Sequence, residues 1–540
     1  MHALNENNGG LKTLVPLKFF IVFFFFAVSA GIFFRLYQIN VNQFVYYDEG
    51  EYLNRDRKLV EFIDTFPSLK GYNLFKAFQT SWSAALHSNK FLWYGLMNMR
   101  PFFMDAHDWY YSRIVAALFG ALTLWPMFLF SRRYFGCVST ALFAGAVLAL
   151  LPSHIYYSRL GMQETLSAFL YLWGMYFYLK KGKMGWPTIV SALFFVFAYW
   201  TNYRLIILPL HVALVEILMS LQEKRMFDFR KFIWHGVVFA ALIVFVGSLD
   251  GGANMVLTGH WMFLQQNLAQ GHFSPLNLLS YPYYLFRFEG LIFAVLFFSN
   301  IYFIVKRNWK MLIPFGVVSL QMFIFSMFQE KGVRYLCVVY PFAVLAVVVA
   351  LDEFIRLREW RRKHLLVFAV LVALVFGFCL RNMKTINFSS DYAEAVSFIK
   401  THDKNAKIIT SQVPIVVLYA PNQDVTGLPA NGNLLLPLYV NGYRYLMIDP
   451  QAYVSFTKDD LRFSQQLKGF WEVAVRDLRP IKVFNHFNSL LFERFVMEHN
   501  EDLKRSWEFL RANKEHQFSL IKVYAVKDLI DAIIEKNQRL

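Results

Sequence analysis

Cysteine and charge are both scarce in this sequence. Only three cysteines occur among 540 residues, Cys137, Cys337 and Cys379, each in or beside an apolar run and none at a metal-ligand spacing. That excludes a disulfide framework or a zinc module as the basis of the fold. Charged residues make up 17% of the chain against 57% hydrophobic and 19% aromatic, which excludes an ordinary soluble domain of this length. Acidic residues are the scarcer sign, 37 against 54 Lys and Arg, for a net charge of +17. The basic residues fall in short clusters between apolar runs, where the positive-inside bias puts them. Their expected counter-charge is anionic lipid, and no nucleic-acid partner is expected. No internal repeat is present, and no low-complexity tract beyond the Phe runs.

What the chain has in quantity is long apolar stretches, in which many of its 59 Phe residues gather. A spanning helix needs roughly 20 mostly apolar residues to cross about 30 Å of hydrocarbon. Such stretches lie near residues 16–36, 112–130, 137–156, 165–180, 187–202, 204–221, 232–249, 283–305, 311–328, 335–352 and 364–381, which predicts about eleven transmembrane helices. The first contains Val28-Ser29-Ala30, which has the form of a signal-peptidase site, but its apolar stretch continues to about Leu36 and reads as an uncleaved helix.

Basic clusters at Arg132–Arg133, Lys180–Lys183, Lys224–Lys231, Lys306–Lys310 and Arg356–Lys363 occupy alternate connections. This predicts a cytoplasmic N-terminus and an exterior C-terminal segment. The expected division is a transmembrane domain over 1–384, with a long exterior loop at 37–111, and a small exterior α/β domain over 385–540. The second expectation rests on DYAEAVSFIKTH as an amphipathic helix and on KIIT, YRYLMID, IKVF and LIKVYAV as strands.

Three constellations stand out against this background. The first is VYYDEGEY at 45–52, about a dozen residues past the first helix, where Asp48 and Glu49 are flanked by Tyr46, Tyr47 and Tyr52. A carboxylate shielded at headgroup depth suits a general base, because desolvation raises its pKa; a solvated loop with aromatic anchors accounts for the same residues. The second is HIYYSRLGMQET at 154–165, with His154, Arg159 and Glu164. Glu164 could hold an acceptor or a cation, or simply complement a helix dipole in the first turn. The third is KGVRYLCVVYP at 331–341, where Lys331 and Arg334 stand on the side that should be poor in positive charge and so call for an anionic partner. Arg204 in TNYR is a further candidate, equally explained by snorkelling to headgroups. The spans themselves read as free of carboxylates, which counts against a transporter, and the two halves of the chain do not match.

In YDEGEY after the first helix, SRLGMQETLSAFLYLWGMYFYL across the third and fourth spans and KGVRYLCVVYP near the end of the membrane domain, the chain resembles the GT-C membrane glycosyltransferases. The resemblance is in particular to the group that includes the protein O-mannosyltransferases and the lipid A aminoarabinose transferase. The resemblance covers essentially the whole chain, although the Pro-Pro pair common in that family's first loop is missing from SNKFLWYGL. It implies a GT-C-like fold and transfer of a sugar from a polyprenyl-phosphate donor to a lipid, glycan or protein hydroxyl at the outer face. It also implies a bacterial or archaeal plasma membrane setting. Asp48 would be the base, Glu49 its orienting neighbour, and Lys331, Arg334 and Arg204 the phosphate-holding cations. Glu164, Arg159, Tyr47 and His154 would position the acceptor or the site. The need for a divalent metal stays open, as do the alternatives of an oligosaccharide ligase and a transporter or flippase.

Overall fold

The computed structural model describes residues 17–40, 48–54, 90–97, 99–100, 110–180, 185–248, 275–328, 331–357, 373–374, 376–378, 380–381, 390–429, 432–449, 478–485, 489–498, 503–512 and 520–538. Most of the 37–111 loop and of the 364–381 span therefore lies outside the described residues. The chain divides into two units: Met1–Ile39 with Leu59–Met383, and Asn40–Lys58 with Lys384–Leu540. The acidic motif after the first helix thus groups with the C-terminal unit, whereas the sequence reading put it in the first domain.

The first unit is helical. Its principal described helices are α1 (Leu17–Leu36), α2 (Tyr111–Leu122), α3 (Leu124–Phe135), α4 (Val138–Leu150), α5 (Pro152–Ser158), α6 (Glu164–Tyr178), α7 (Trp186–Thr201), α8 (Leu208–Glu223), α9 (Phe229–Ser248), α10 (Leu291–Ser299), α11 (Trp309–Ser326) and α12 (Tyr340–Leu357). Among the described residues, five stretches are long and apolar enough to cross a membrane: Leu17–Leu36, Tyr111–Phe135, Tyr203–Glu223, Trp309–Ser326 and Val333–Ile355. The protein is an integral membrane protein.

Helices α4 and α5 fall within one stretch read from sequence as a single span, but they meet at a bend of 59°. Leu151 precedes Pro152 and takes an extended ψ of 121°, because the proline ring disfavours helical backbone in the residue before it. Pro152 then starts the new helix, where its missing N–H costs nothing. The bend turns His154 and Ser158 away from the line of α4.

Helix α4 is buried along nearly its whole length and packs against α1, α3 and α12. Its Ser, Thr, Ala and Gly residues let neighbouring backbones come close, which is how helices associate where lipid removes the hydrophobic drive. Helix α1 instead turns Phe19, Val22, Phe25, Phe26 and Phe33 outward. The expectation that the spans carry no carboxylate fails at Glu216 in α8 and at Glu289, both buried. Glu216 is held by Arg225 at 2.6 Å and by the Tyr178 hydroxyl at 3.1 Å, since a carboxylate survives in such surroundings only when partnered.

The C-terminal unit holds a five-stranded sheet in the order β2-β1-β3-β5-β4. The strands are β1 (Lys407–Thr410), β2 (Val425–Thr426), β3 (Tyr443–Ile448), β4 (Lys482–Asn485) and β5 (Leu520–Ala525). β1 runs parallel to β2 and β3, and β5 runs antiparallel to β3 and β4. Side chains alternate between faces as the two-residue period requires. Ile408, Met447, Ile521 and Val523 pack with Val396 and Ile399 of helix α13 (Tyr392–His402). Ile409, Leu446, Ile448 and Tyr524 pack with Val526 and Leu529 of helix α14 (Val526–Gln538).

Candidate active site

Several of the candidates in the first unit collect around α5. Arg35, near the end of α1, is fully buried and donates to the Ala149 carbonyl at 2.9 Å, to Ser158 Oγ at 3.2 Å and to His154 Nδ1 at 2.8 Å. A guanidinium has no acceptor, so His154 Nδ1 accepts and the imidazole proton sits on Nε2. His154 is therefore tied into a buried network, the structural role that a lone histidine most often has. Arg159, directly after α5, donates to the carbonyls of Phe34 at 2.6 Å and Tyr37 at 2.8 Å, which fastens α5 to the end of α1. Glu289 accepts from the Ser153 N–H at 3.4 Å. It closes a π-helical turn at Leu285–Glu289, a backbone form often found at functional positions. Glu164 is buried in the first turn of α6, which packs on α2, α5 and the 3₁₀ turn Val333–Val339.

The basic candidates separate into two kinds. Lys331 is buried, and its ammonium donates to the Phe328 carbonyl at 2.9 Å. Arg204 and Arg334 are partly exposed and share one aromatic ring. Their guanidinium carbons stand 4.6 Å and 5.7 Å from the centre of Tyr335. Both are fixed by local structure. Asn202 caps the 3₁₀ turn Tyr203–Ile207 by accepting from the Arg204 N–H at 3.2 Å, and Gln321 of α11 donates to the Tyr335 carbonyl at 2.9 Å. Stacking on a ring orients a guanidinium, whose planar fork of N–H donors matches the geometry of an oxyanion.

In the C-terminal unit, residues 48–54 form a helical turn. Asp48 and Glu51, three apart and so on one face, are half-buried, while Glu49 and Leu53 are buried. Gly50 and Asn54, four apart, meet the segment after β1, where Asn54 Nδ2 donates to the Pro414 carbonyl at 2.6 Å. Tyr47 lies outside the described residues. Among the described residues, no group of three or more His, Cys, Asp and Glu side chains is arranged to hold a metal ion. Sequence reasoning missed Arg35 and Glu289, although an ionisable residue inside an apolar stretch is a signal in its own right.

Membrane helices gathered in one unit and a sheet in the other belong to a chain that shares the GT-C fold with membrane glycosyltransferases of known structure. Residues 103–249 match the family model described as dolichyl-phosphate-mannose-protein mannosyltransferase. ArnT from Cupriavidus metallidurans, solved bound to undecaprenyl phosphate, superposes with a TM-score of 0.53 at 15% identity, over 82% of this chain and 95% of that one. The Archaeoglobus fulgidus oligosaccharyltransferase in its apo form gives a TM-score of 0.52 at 11% identity, over 80% and 70%. A stretch of 140 residues is 27% identical to the STT3A subunit of the dolichyl-diphosphooligosaccharide–protein glycosyltransferase of Oryza sativa subsp. japonica, which is 24% of this chain and 18% of that protein. The match thus spans under a fifth of that relative's length.

Proposed function

We propose that the protein is a membrane glycosyltransferase that moves a sugar from a polyprenyl-phosphate carrier to an acceptor hydroxyl at the outer face of the membrane. The observation that carries this reading is the pair of guanidiniums, Arg204 and Arg334, on the Tyr335 ring. Two guanidiniums oriented on one ring form a planar, multiply donating cationic site of the kind that matches phosphate oxygens, and a lipid whose tail stays in the bilayer would bring a phosphate to it.

In this reading the acceptor oxygen attacks the anomeric carbon from the face opposite the phosphate. The bond from that carbon to the phosphate oxygen breaks, its electron pair leaves with the phosphate, and the hydroxyl proton passes to the Asp48 carboxylate. The anomeric configuration inverts. A phosphate leaving group already carries negative charge, so a second carboxylic acid to protonate it is dispensable; what it needs is cationic stabilisation of the charge left behind. Arg204 and Arg334 take that role ahead of Lys331, whose ammonium is turned onto the Phe328 carbonyl. Glu49 shares a helix face with Leu53 and not with Asp48, so it supports the turn. Arg159 and His154 hold α5 in place, and Glu164 remains the candidate for the acceptor side of the membrane unit.

The test is transfer from a radiolabelled pool of polyprenyl-phosphate sugars by purified protein in detergent. The wild type is expected to label an acceptor, and Arg204→Ala and Arg334→Ala are expected to raise the KM for the lipid donor. Labelling only from a diphosphate-linked oligosaccharide would select the ligase reading instead. No labelling from either donor, with uptake of either lipid across a vesicle membrane, would select a transporter.

A further inference from the structure

The carboxyl edge of the β-sheet carries a closed polar cluster that the reaction does not call on. Asp449, at the end of β3, is only 1% exposed. Its carboxylate accepts from the Tyr392 hydroxyl at 2.8 Å, the Ser411 hydroxyl at 3.0 Å and the Gln412 amide at 3.4 Å. β1 and β3 are parallel neighbours, so the residues after each leave the sheet side by side. A buried carboxylate is costly unless its lone pairs are filled, and once filled it pins whatever supplies the donors. Here it pins residues 411 and 412, the start of the segment after β1.

That segment runs straight into Val413–Val416, and its Pro414 carbonyl is where the acidic turn rests. Asn54 donates to this carbonyl at 2.6 Å. A Cβ on Gly50 would come within 2.9 Å of the same oxygen and 3.1 Å of its carbon, so only glycine lets the turn lie this close. With Gly50 and Asn54 on Pro414 and with Glu49 and Leu53 buried, Asp48 and Glu51 are left on the more open face.

We infer that this edge of the sheet is the seat of the acidic motif. Asn54 and Gly50 dock the 48–54 turn on the Pro414 carbonyl, Asp449 holds the segment carrying that carbonyl, and both Asn54 and Asp449 are positioning residues for Asp48. The inference rests on Asp48 acting as the base. Its consequence is that the position of the Asp48 carboxylate is set by the packing of its own unit. Misplacing a reacting group by about 1 Å costs on the order of 100-fold in rate.

The experiment compares full-length wild type, Asn54→Asp, Asn54→Gln and Asp449→Asn by two readouts. Asn54→Asp keeps the side-chain shape but loses the donor, whereas Asn54→Gln keeps a donor. Amide hydrogen exchange over residues 48–54 is expected to rise in Asn54→Asp and Asp449→Asn. In transfer from the polyprenyl-phosphate sugar pool, kcat is expected to fall about 10- to 100-fold in both, with the donor KM unchanged, and Asn54→Gln is expected to recover most of it. Unchanged exchange over 48–54, or raised exchange with wild-type kcat, overturns the inference alone. A wild type that transfers nothing overturns the reading it rests on and the inference with it.

Discussion

In the proposed reaction Asp48 takes the proton, and a half-buried position on a packed helical turn is the kind of place where a carboxylate can act as a base. Asp48→Asn is nearly isosteric, so it should keep the fold while lowering kcat by about 10²- to 10⁴-fold. Arg204→Lys and Arg334→Lys should behave almost like the alanine variants in a donor titration, because an ammonium reproduces neither the stacking on Tyr335 nor the two-pronged grip on phosphate. Asp48, Glu164, Arg204 and Arg334 could be picked out as candidates from the sequence because each is an ionisable group beside an apolar run. What was not legible is the partnership of Arg204 with Arg334, which are separated in sequence by helices α8 to α11 and meet at the ring of Tyr335. Lys331 and Arg334 looked like a pair by proximity in the chain, but Gly332 between them is extended and the Lys331 ammonium donates to the Phe328 carbonyl. Arg35 was passed over because it sits in the last turn of a clear apolar helix, where snorkelling is the ordinary expectation.

At the scale of elements, close helix packing and the sheet each give a measurement. Gly174 of α6 faces α7, where an added Cβ would lie 2.3 Å from the buried Phe195 ring, and its carbonyl accepts from Ser191 at 2.8 Å. Gly174→Ala should therefore lower stability by about 1–3 kcal/mol, read as a lower melting temperature in detergent. In the C-terminal unit, burial pushes the Tyr392 phenol well above its ordinary pKa, and the Asp449 carboxylate adds repulsion and a hydrogen bond to the neutral form. An unfolded chain ionises this phenol near pH 10 while the folded one keeps the proton, so stability is intact below about pH 10 and falls as pH rises beyond it. Melting curves between pH 8 and 11 should show that fall, and Tyr392→Phe should flatten it at the cost of the hydrogen bond to Asp449. Strands β1, β3, β4 and β5 were readable from short β-branched and aromatic runs bounded by turns. The bend between α4 and α5 was not, because hydropathy does not register that a single proline restricts the residue before it.

For the whole molecule, the distribution of charge carries the topology. Basic residues crowd alternate connections and a net charge of +17 follows from them, which predicts that the connection around Met226 is cytoplasmic and the C-terminal unit exterior. In a chain whose three cysteines are replaced by alanine, a membrane-impermeant thiol reagent should label Gln423→Cys on intact cells and Met226→Cys only after permeabilisation; both parent side chains are exposed. Division into two units was partly legible, since apolar runs give way to alternating strand and helix patterns after about residue 384. That the acidic motif groups with the second unit was not, because the contacts joining 48–54 to Pro414 span some 360 positions of sequence and no local pattern announces them. The central claim is sugar transfer from a polyprenyl phosphate with Asp48 as the base, and the most direct test is the radiolabelled transfer assay run on wild type and Asp48→Asn in parallel. The account predicts labelled product from the wild type and none above background from a folded Asp48→Asn. Equal labelling by the two proteins would contradict it.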